Sequence, residues 1–207
     1  MNGSTRTLSR TAWLVAATAL LAGCATTRKE TIELPDLTDW AARQATLAAS
    51  EQWYLKGRIG IRTEDDGFNA KLRWTQDRRR FDAQVSGPLG IGNVKLEGDQ
   101  RSVTLTDKDG VETRLGDAET ELYLRYGWTI PVGSLPFWLL GIPDPDRPAE
   151  TEVDASGKLV RLEQGGWDVS FNRYRDGAGQ ELPGRITASS STTRVRIVID
   201  DWRFFAQ

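Results

Sequence analysis

The chain has 207 residues, of which 39% are hydrophobic and eight are tryptophan, with 27 basic and 29 acidic residues and no histidine. Such a chain builds the core of one ordinary domain, and its slightly acidic balance without a basic block argues against a nucleic-acid partner. Without histidine no Ser-His-Asp or Cys-His nucleophile can be assembled and no histidine can ligate a metal. No P-loop pattern is visible either, so no cofactor or nucleotide is expected and enzyme chemistry is disfavoured.

The first element is an N-terminal signal. Arg6 and Arg10 flank the start of an apolar run from Ala12 to Ala22, too short to span a bilayer. It ends in Leu20-Leu21-Ala22-Gly23-Cys24, which contains the only cysteine of the chain and resembles a bacterial lipobox. An ordinary secretory signal ending near a cysteine is the alternative. The lipobox reading predicts a signal peptide over 1–23 and an acylated Cys24. Each buried methylene is worth about 0.8 kcal/mol, and roughly two acyl chains anchor a protein stably. Ala25, where an aspartate would retain the protein in the inner membrane, implies by the same resemblance the periplasmic face of the outer membrane. Removal of 1–23 leaves 25 basic and 29 acidic residues. Residues 24–38 are polar, carry Pro35 and read as a flexible tether; a single domain is expected over 39–207.

Thr38 or Asp39 caps a predicted helix from Trp40 to about Gln52, with Trp40, Ala41, Gln44, Leu47, Ala48 and Glu51 on one stripe. From Trp53 the period changes to two. Trp53, Leu55, Ile59 and Ile61 alternate with polar residues. After the Asp65-Asp66-Gly67 turn follow Phe68, Ala70, Leu72 and Trp74, then Phe81, Ala83 and Val85. Val94 and Leu96, Val103 and Leu105, and Val111 and Leu115 continue the pattern. This is an antiparallel meander with one wet and one apolar face. Helical signals interrupt it: Asp117 caps a segment ending at Gly127, and a turn or helix over Val132–Leu140 ends at Gly141. Strands resume near Glu152 and include Val160 and Leu162, Trp167 to Phe171, Arg185–Ser189, and Val195 to Ile199.

About eleven strands, each with one apolar face, make the domain mainly β with helices. They either close or half-close around an interior or pack as two sheets; the pattern alone fits both.

Three later stretches carry a family resemblance: Gly127-Trp128-Thr129-Ile130-Pro131-Val132, Leu135-Pro136-Phe137-Trp138-Leu139-Leu140-Gly141-Ile142-Pro143, and Gln164-Gly165-Gly166-Trp167. With Lys56-Gly57-Arg58-Ile59, Leu72-Arg73-Trp74, Gly87-Pro88-Leu89-Gly90 and Trp202, they resemble the LolB family of outer-membrane lipoprotein receptors. The resemblance implies a half-open antiparallel β-barrel capped by helices around an apolar cavity. It also implies receipt of acylated lipoprotein cargo from a periplasmic LolA-like carrier and insertion into the inner leaflet of the outer membrane, by a protein expected to be monomeric.

Candidate lining for acyl chains is Trp53, Leu55, Leu72, Trp74, Val85, Val94, Leu96, Trp167 and Phe171, although each also fits plain core packing. Leu89 sits in a glycine-rich connection where folding does not require an apolar tip. The resemblance makes it a membrane-insertion residue on a protruding loop; folding back into the barrel mouth is the alternative. Trp138, Leu139 and Leu140, between Pro131 and Pro143, form either a lid or a fixed plug. Outside this reading stand a lipoprotein that binds glycan or another apolar ligand without transfer, and a hydrolase using Asp107 with Asp109 or Asp200 with Asp201. Those acidic pairs read more simply as a turn and a solvated strand end.

Overall fold

The computed structural model describes residues 29–87, 93–99, 102–127 and 129–206. The signal peptide, Cys24, Leu89 and Trp128 lie outside these residues.

The first long strand, β2 (Gln52–Arg62), follows a two-residue strand β1 (Thr31–Ile32) and the helix α1 (Trp40–Ala48). In β2, Trp53, Leu55, Ile59 and Ile61 are buried while Lys56, Arg58 and Arg62 face water. That alternation continues through β3 (Gly67–Asp77), β4 (Arg80–Ser86), β5 (Val94–Gly98), β6 (Val103–Thr106) and β7 (Glu112–Leu115). Two helices, α2 (Ala118–Tyr126) and α3 (Leu135–Leu140), precede the second run of strands. This run comprises β8 (Ala149–Val153), β9 (Leu159–Gln164), β10 (Trp167–Asn172), the short pair β11 (Arg175–Asp176) and β12 (Glu181–Leu182), then β13 (Arg185–Ser189) and β14 (Arg194–Phe205).

All long strands join one antiparallel sheet in the order β7-β6-β5-β4-β3-β2-β14-β13-β10-β9-β8, with β1 added beside β14. Its two ends, β7 and β8, do not pair, so the sheet curls without closing. Of the eleven strands longer than two residues, ten follow the two-residue period, while β8 is exposed along nearly its whole length and shows no alternation. The short β1, β11 and β12 carry too few residues to show one.

The seam at the centre joins β2 to β14 over ten paired positions, from Trp53 opposite Phe204 to Arg62 opposite Arg194. The register shifts between Ile199 and Asp201. Gly57 lies at that irregularity, where a Cβ would meet the Val198 carbonyl oxygen at 2.2 Å, so no other residue fits.

In sequence, α2 and α3 lie between the two free edges. Both lay apolar side chains on the concave face of the sheet, and the core is continuous from Leu47 on α1 through Leu122, Leu135 and Leu139 to Phe204.

Two sequence expectations are corrected. The described part of the 24–38 tether, from Lys29 onward, is docked. Thr31 and Ile32 pair with Phe205 and Phe204, Leu34 is buried and donates its N–H to the Ala178 carbonyl at 2.7 Å, and the Leu37 N–H reaches Gln180 Oε1 at 3.1 Å. Backbone pairing and one buried leucine outweigh its polar composition. In α1 the buried residues are Arg43 and Leu47, while Ala41 and Ala48 are exposed. Asp39 is the cap, accepting from the Ala42 N–H at 2.8 Å. Arg43 tolerates burial because its guanidinium donates to the carbonyls of Glu181 and Leu37 and lies over the Tyr174 ring. Burial lowers the Arg43 pKa from its ordinary value, partly offset by the nearby Tyr174, Glu181, Asp36 and Asp154.

Candidate functional site

The concave face and the two helices enclose a cavity of about 50 Å³. From the sheet come Ile59 and Ile61 of β2, Phe68, Leu72 and Trp74 of β3, Ala83 and Val85 of β4, Val94 and Leu96 of β5, and Ile197 of β14. The cover supplies Leu122 of α2, Ile130, Val132, and Leu135 and Leu139 of α3. Among the described residues no charged side chain lines it. A dry apolar cavity of roughly 150 Å³ holds a benzene ring, so this volume is too small for an acyl chain. The chamber is apolar and nearly filled by its own cover.

Five of the nine candidate lining residues, Leu72, Trp74, Val85, Val94 and Leu96, come together around this cavity. The other four lie elsewhere in the core. Trp53 stacks on Trp74 at 6.3 Å and meets Trp202 edge-on at 5.5 Å. Trp202 in turn stacks on Phe204, so Trp53 belongs to an aromatic cluster at the Gln52 end of the central β2–β14 seam. Leu55 is fully buried opposite Trp74. Trp167 and Phe171 are buried on β10, where Trp167 meets Trp138 edge-on at 6.2 Å. Filling and lining require the same inward alternation; position along the strands separates them.

The lid candidates divide similarly. Leu139 faces the cavity, whereas Trp138 and Leu140 are buried outside it. The Trp138 indole N–H donates to Gln164 Oε1 at 2.9 Å, which also accepts from the Asp144 N–H at 3.0 Å. Gln164 Nε2 donates to the carbonyls of Asp144 and Arg147 at 2.9 and 3.0 Å. Ser134 Oγ donates to Asp144 Oδ2 at 2.7 Å. This buried polar network pins α3 to β9. Gln164 was not singled out from sequence as a functional side chain, because a lone glutamine beside a Gly-Gly turn reads as solvated.

The other half of the cover is held more lightly. Leu122 is buried, but Tyr123 and Leu124 are 50% and 75% exposed. Asp117 caps α2 through the N–H groups of Glu119 and Thr120, and Gly127 ends it in the left-handed conformation at φ 74°. The hydrogen bonds from Thr120 hold the Asp117 carboxyl below its ordinary value. Burial pushes Glu119 above the ordinary carboxylate value, opposed by Arg147 at 3.8 Å. The cover is therefore one fixed helix and one lightly seated helix.

The acidic pairs lie away from the cavity. Asp107 accepts from the N–H groups of Asp109 and Val111 in the β6–β7 turn, and Asp109 pairs with Lys108. Asp200 pairs with Arg58 at 2.9 Å and Asp201 with Arg203 at 3.3 Å on the outer face. They make turns and surface ion pairs.

An apolar chamber inside an open antiparallel sheet, covered by helices, is the arrangement on which comparison with known proteins bears. The family model described as outer membrane lipoprotein LolB matches residues 51–202. The chain belongs to the LolB family. An outer-membrane lipoprotein LolB of Nitrosococcus oceani is 37% identical over 185 residues, covering 89% of this chain and 92% of that protein. The LolB of Pseudomonas aeruginosa is 34% identical over 189 residues, covering 90% and 92%. The fold is similar to that of a LolA superfamily protein from Nitrosomonas europaea, with a TM-score of 0.57 at 8% identity over 82% of this chain and 94% of the other. It is also similar to a DUF1329 family protein from Desulfovibrio piger, with a TM-score of 0.55 at 9% identity over 80% and 90%. By family the chain is thus an outer-membrane lipoprotein. Among its described residues no helix is long and apolar enough to cross a membrane.

Proposed function

We propose that this chain receives acylated lipoproteins from a periplasmic LolA-like carrier and inserts them into the inner leaflet of the outer membrane. The observation that carries the reading is the chamber, lined by fifteen apolar side chains among the described residues, beneath a cover with one lightly seated helix. Fatty chains cannot rest in water, and such an interior shelters them while the outside stays polar. Acyl chains enter by displacing α2 and Ile130, while α3 stays anchored by Gln164. The lid is then α2, and Leu139 forms part of the wall.

The protein works as a monomer, without cofactor or catalysis, held by acyl chains on Cys24. Leu89, in the connection between β4 and β5, enters the bilayer during delivery. Transfer runs down an affinity gradient: each 1.4 kcal/mol by which this receptor exceeds the carrier shifts cargo about tenfold, and the bilayer exceeds both. An apolar dye held in the chamber tests the reading. Displacement by acylated but not by unacylated lipoprotein is expected. Displacement by a saccharide, or by both protein forms alike, would replace the receptor with a glycan-binding or general apolar-ligand protein.

A further inference from the structure

The outer face of the sheet's central strands carries a concentration of charge that folding does not explain. On β2, β3 and β14, the exposed residues include Lys56, Arg62, Lys71, Arg73, Arg194 and Arg196. Among the described residues none of these six has a carboxylate within ion-pair distance. Three like-charge pairs stand directly opposite each other across strands: Lys56 with Arg73, Arg58 with Lys71, and Arg62 with Arg194. Like charges in directly opposed positions destabilise a sheet. Lysine and arginine often protect free strand edges from wrong pairing, but these are the innermost strands and both neighbours of each are occupied. The whole chain nevertheless carries more acidic than basic residues. Among the described residues, acidic ones enter the array only at the level of Lys56 and Arg58, where Asp201 stands opposite Lys56 and Asp200 pairs with Arg58, and Glu64, Asp65 and Asp66 lie in the turn beyond Arg62.

We infer that this face is a docking surface for the phosphate groups of anionic phospholipids, and that the domain lies on the bilayer face-on through β2, β3 and β14. The inference rests on the membrane-anchored family assignment and, for the orientation, on the proposed entry of the β4–β5 connection into the bilayer. An array of unpaired cations, of which Arg62, Lys71, Arg194 and Arg196 line one groove of about 730 Å³ on the outer face, matches a layer of phosphates. A protein partner would call for an apolar or aromatic centre; among the described residues the exposed large hydrophobics stand at the margin or away from the array, Tyr123 and Leu124 sharing a groove with Arg62 and Arg194 at one end, Val111 in the β6–β7 turn and Ile32 on β1. Chain geometry agrees. The N-terminal segment arrives at the Gln52 end of β2, where Lys29 Nζ meets Gln52 Oε1 at 3.2 Å. The β4–β5 connection leaves from Ser86, opposite Lys71, which is itself opposite Arg58. These points are about 20 Å apart along the strands. End-on docking brings only one of them to the membrane, whereas face-on docking brings both.

Amine-reactive footprinting of the full-length lipidated protein tests this, in vesicles of phosphatidylethanolamine with or without about one-quarter phosphatidylglycerol. Lys56 and Lys71 are expected to label roughly three-fold or more slowly with phosphatidylglycerol present, relative to Lys108 on the β6–β7 turn, and to recover at about 0.5 M salt. The double variant R62S/R196S should lose that protection while unfolding no more readily than the parent, since it relieves a like-charge pair. Equal labelling in both vesicles, or protection that persists in the double variant, would overturn the inference. Protection that arises only when a soluble acidic carrier is added would assign the face to a protein and overturn it equally.

Discussion

The indole N–H of Trp138 and the side-chain oxygen of Gln164 meet at 2.9 Å in a buried site, joining α3 to β9. The same glutamine holds Asp144 and the Arg147 carbonyl. One half of the cover is thus tied to the sheet, and α2 is the half proposed to move.

Replacing Gln164 with alanine leaves the Trp138 N–H, the Asp144 N–H and two carbonyls without these partners. Buried unsatisfied groups of this kind are expected to destabilise the fold by roughly 2–4 kcal/mol. A urea midpoint displaced downward with an unchanged slope checks this. An unchanged midpoint would show that α3 is not held by the network.

On α2 the contrast between neighbours is the test. Leu122→Ala removes the helix's buried anchor and enlarges the cavity, at about 2 kcal/mol of stability, and should speed uptake of an apolar dye. Leu124→Ala, at a site 75% exposed, should leave stability within about 0.5 kcal/mol and uptake unchanged. Equal uptake rates in the two variants would argue against α2 as the moving element.

Glu119 sets a pH dependence for the same helix. Burial raises its folded pKa above the unfolded value of 4.5 despite Arg147. Between those two values the folded state therefore binds more protons than the unfolded state. The stabilisation it contributes is fully present below the unfolded value and is lost as pH rises through the folded one. Amide exchange in α2 should slow as pH falls into that window, after correction for intrinsic exchange rates, and Glu119→Gln should abolish the trend. A trend that survives in the glutamine variant would assign it to another group.

Leu89→Glu places a charge where one buried leucine would contribute roughly 1.5–3 kcal/mol in the bilayer. The variant is expected to fold and accept cargo as before but to deliver it to vesicles at least tenfold more slowly. Normal delivery by a folded variant would sink the proposed role of that loop.

Most of the architecture was legible because one-sided burial writes itself as alternation, as in Trp53 to Ile61 and Phe68 to Trp74. What stayed hidden has specific causes. Arg43 on a helix reads as solvent-facing, and its Tyr174 partner lies far along the chain. Leu34 is a single apolar residue in a polar stretch, docked by backbone bonds that any sequence can make. Trp53 and Trp74 share a face and differ only in how far along paired strands they sit, so composition could not separate core packing from cavity wall. The split between a fixed α3 and a lightly held α2 depends on Gln164, whose partners are up to 26 residues away.

The central seam has a consequence for biogenesis. Strands β2 and β14 are neighbours in space but stand at opposite ends of the chain, and each supplies the other with ten partners. Contacts of such long sequence separation form late and slow a fold. While β14 is still inside an export channel, the middle of the sheet lacks one side of its seam and cannot assemble. A chain exported with its N-terminus leading would therefore keep this sheet open until β14 emerged.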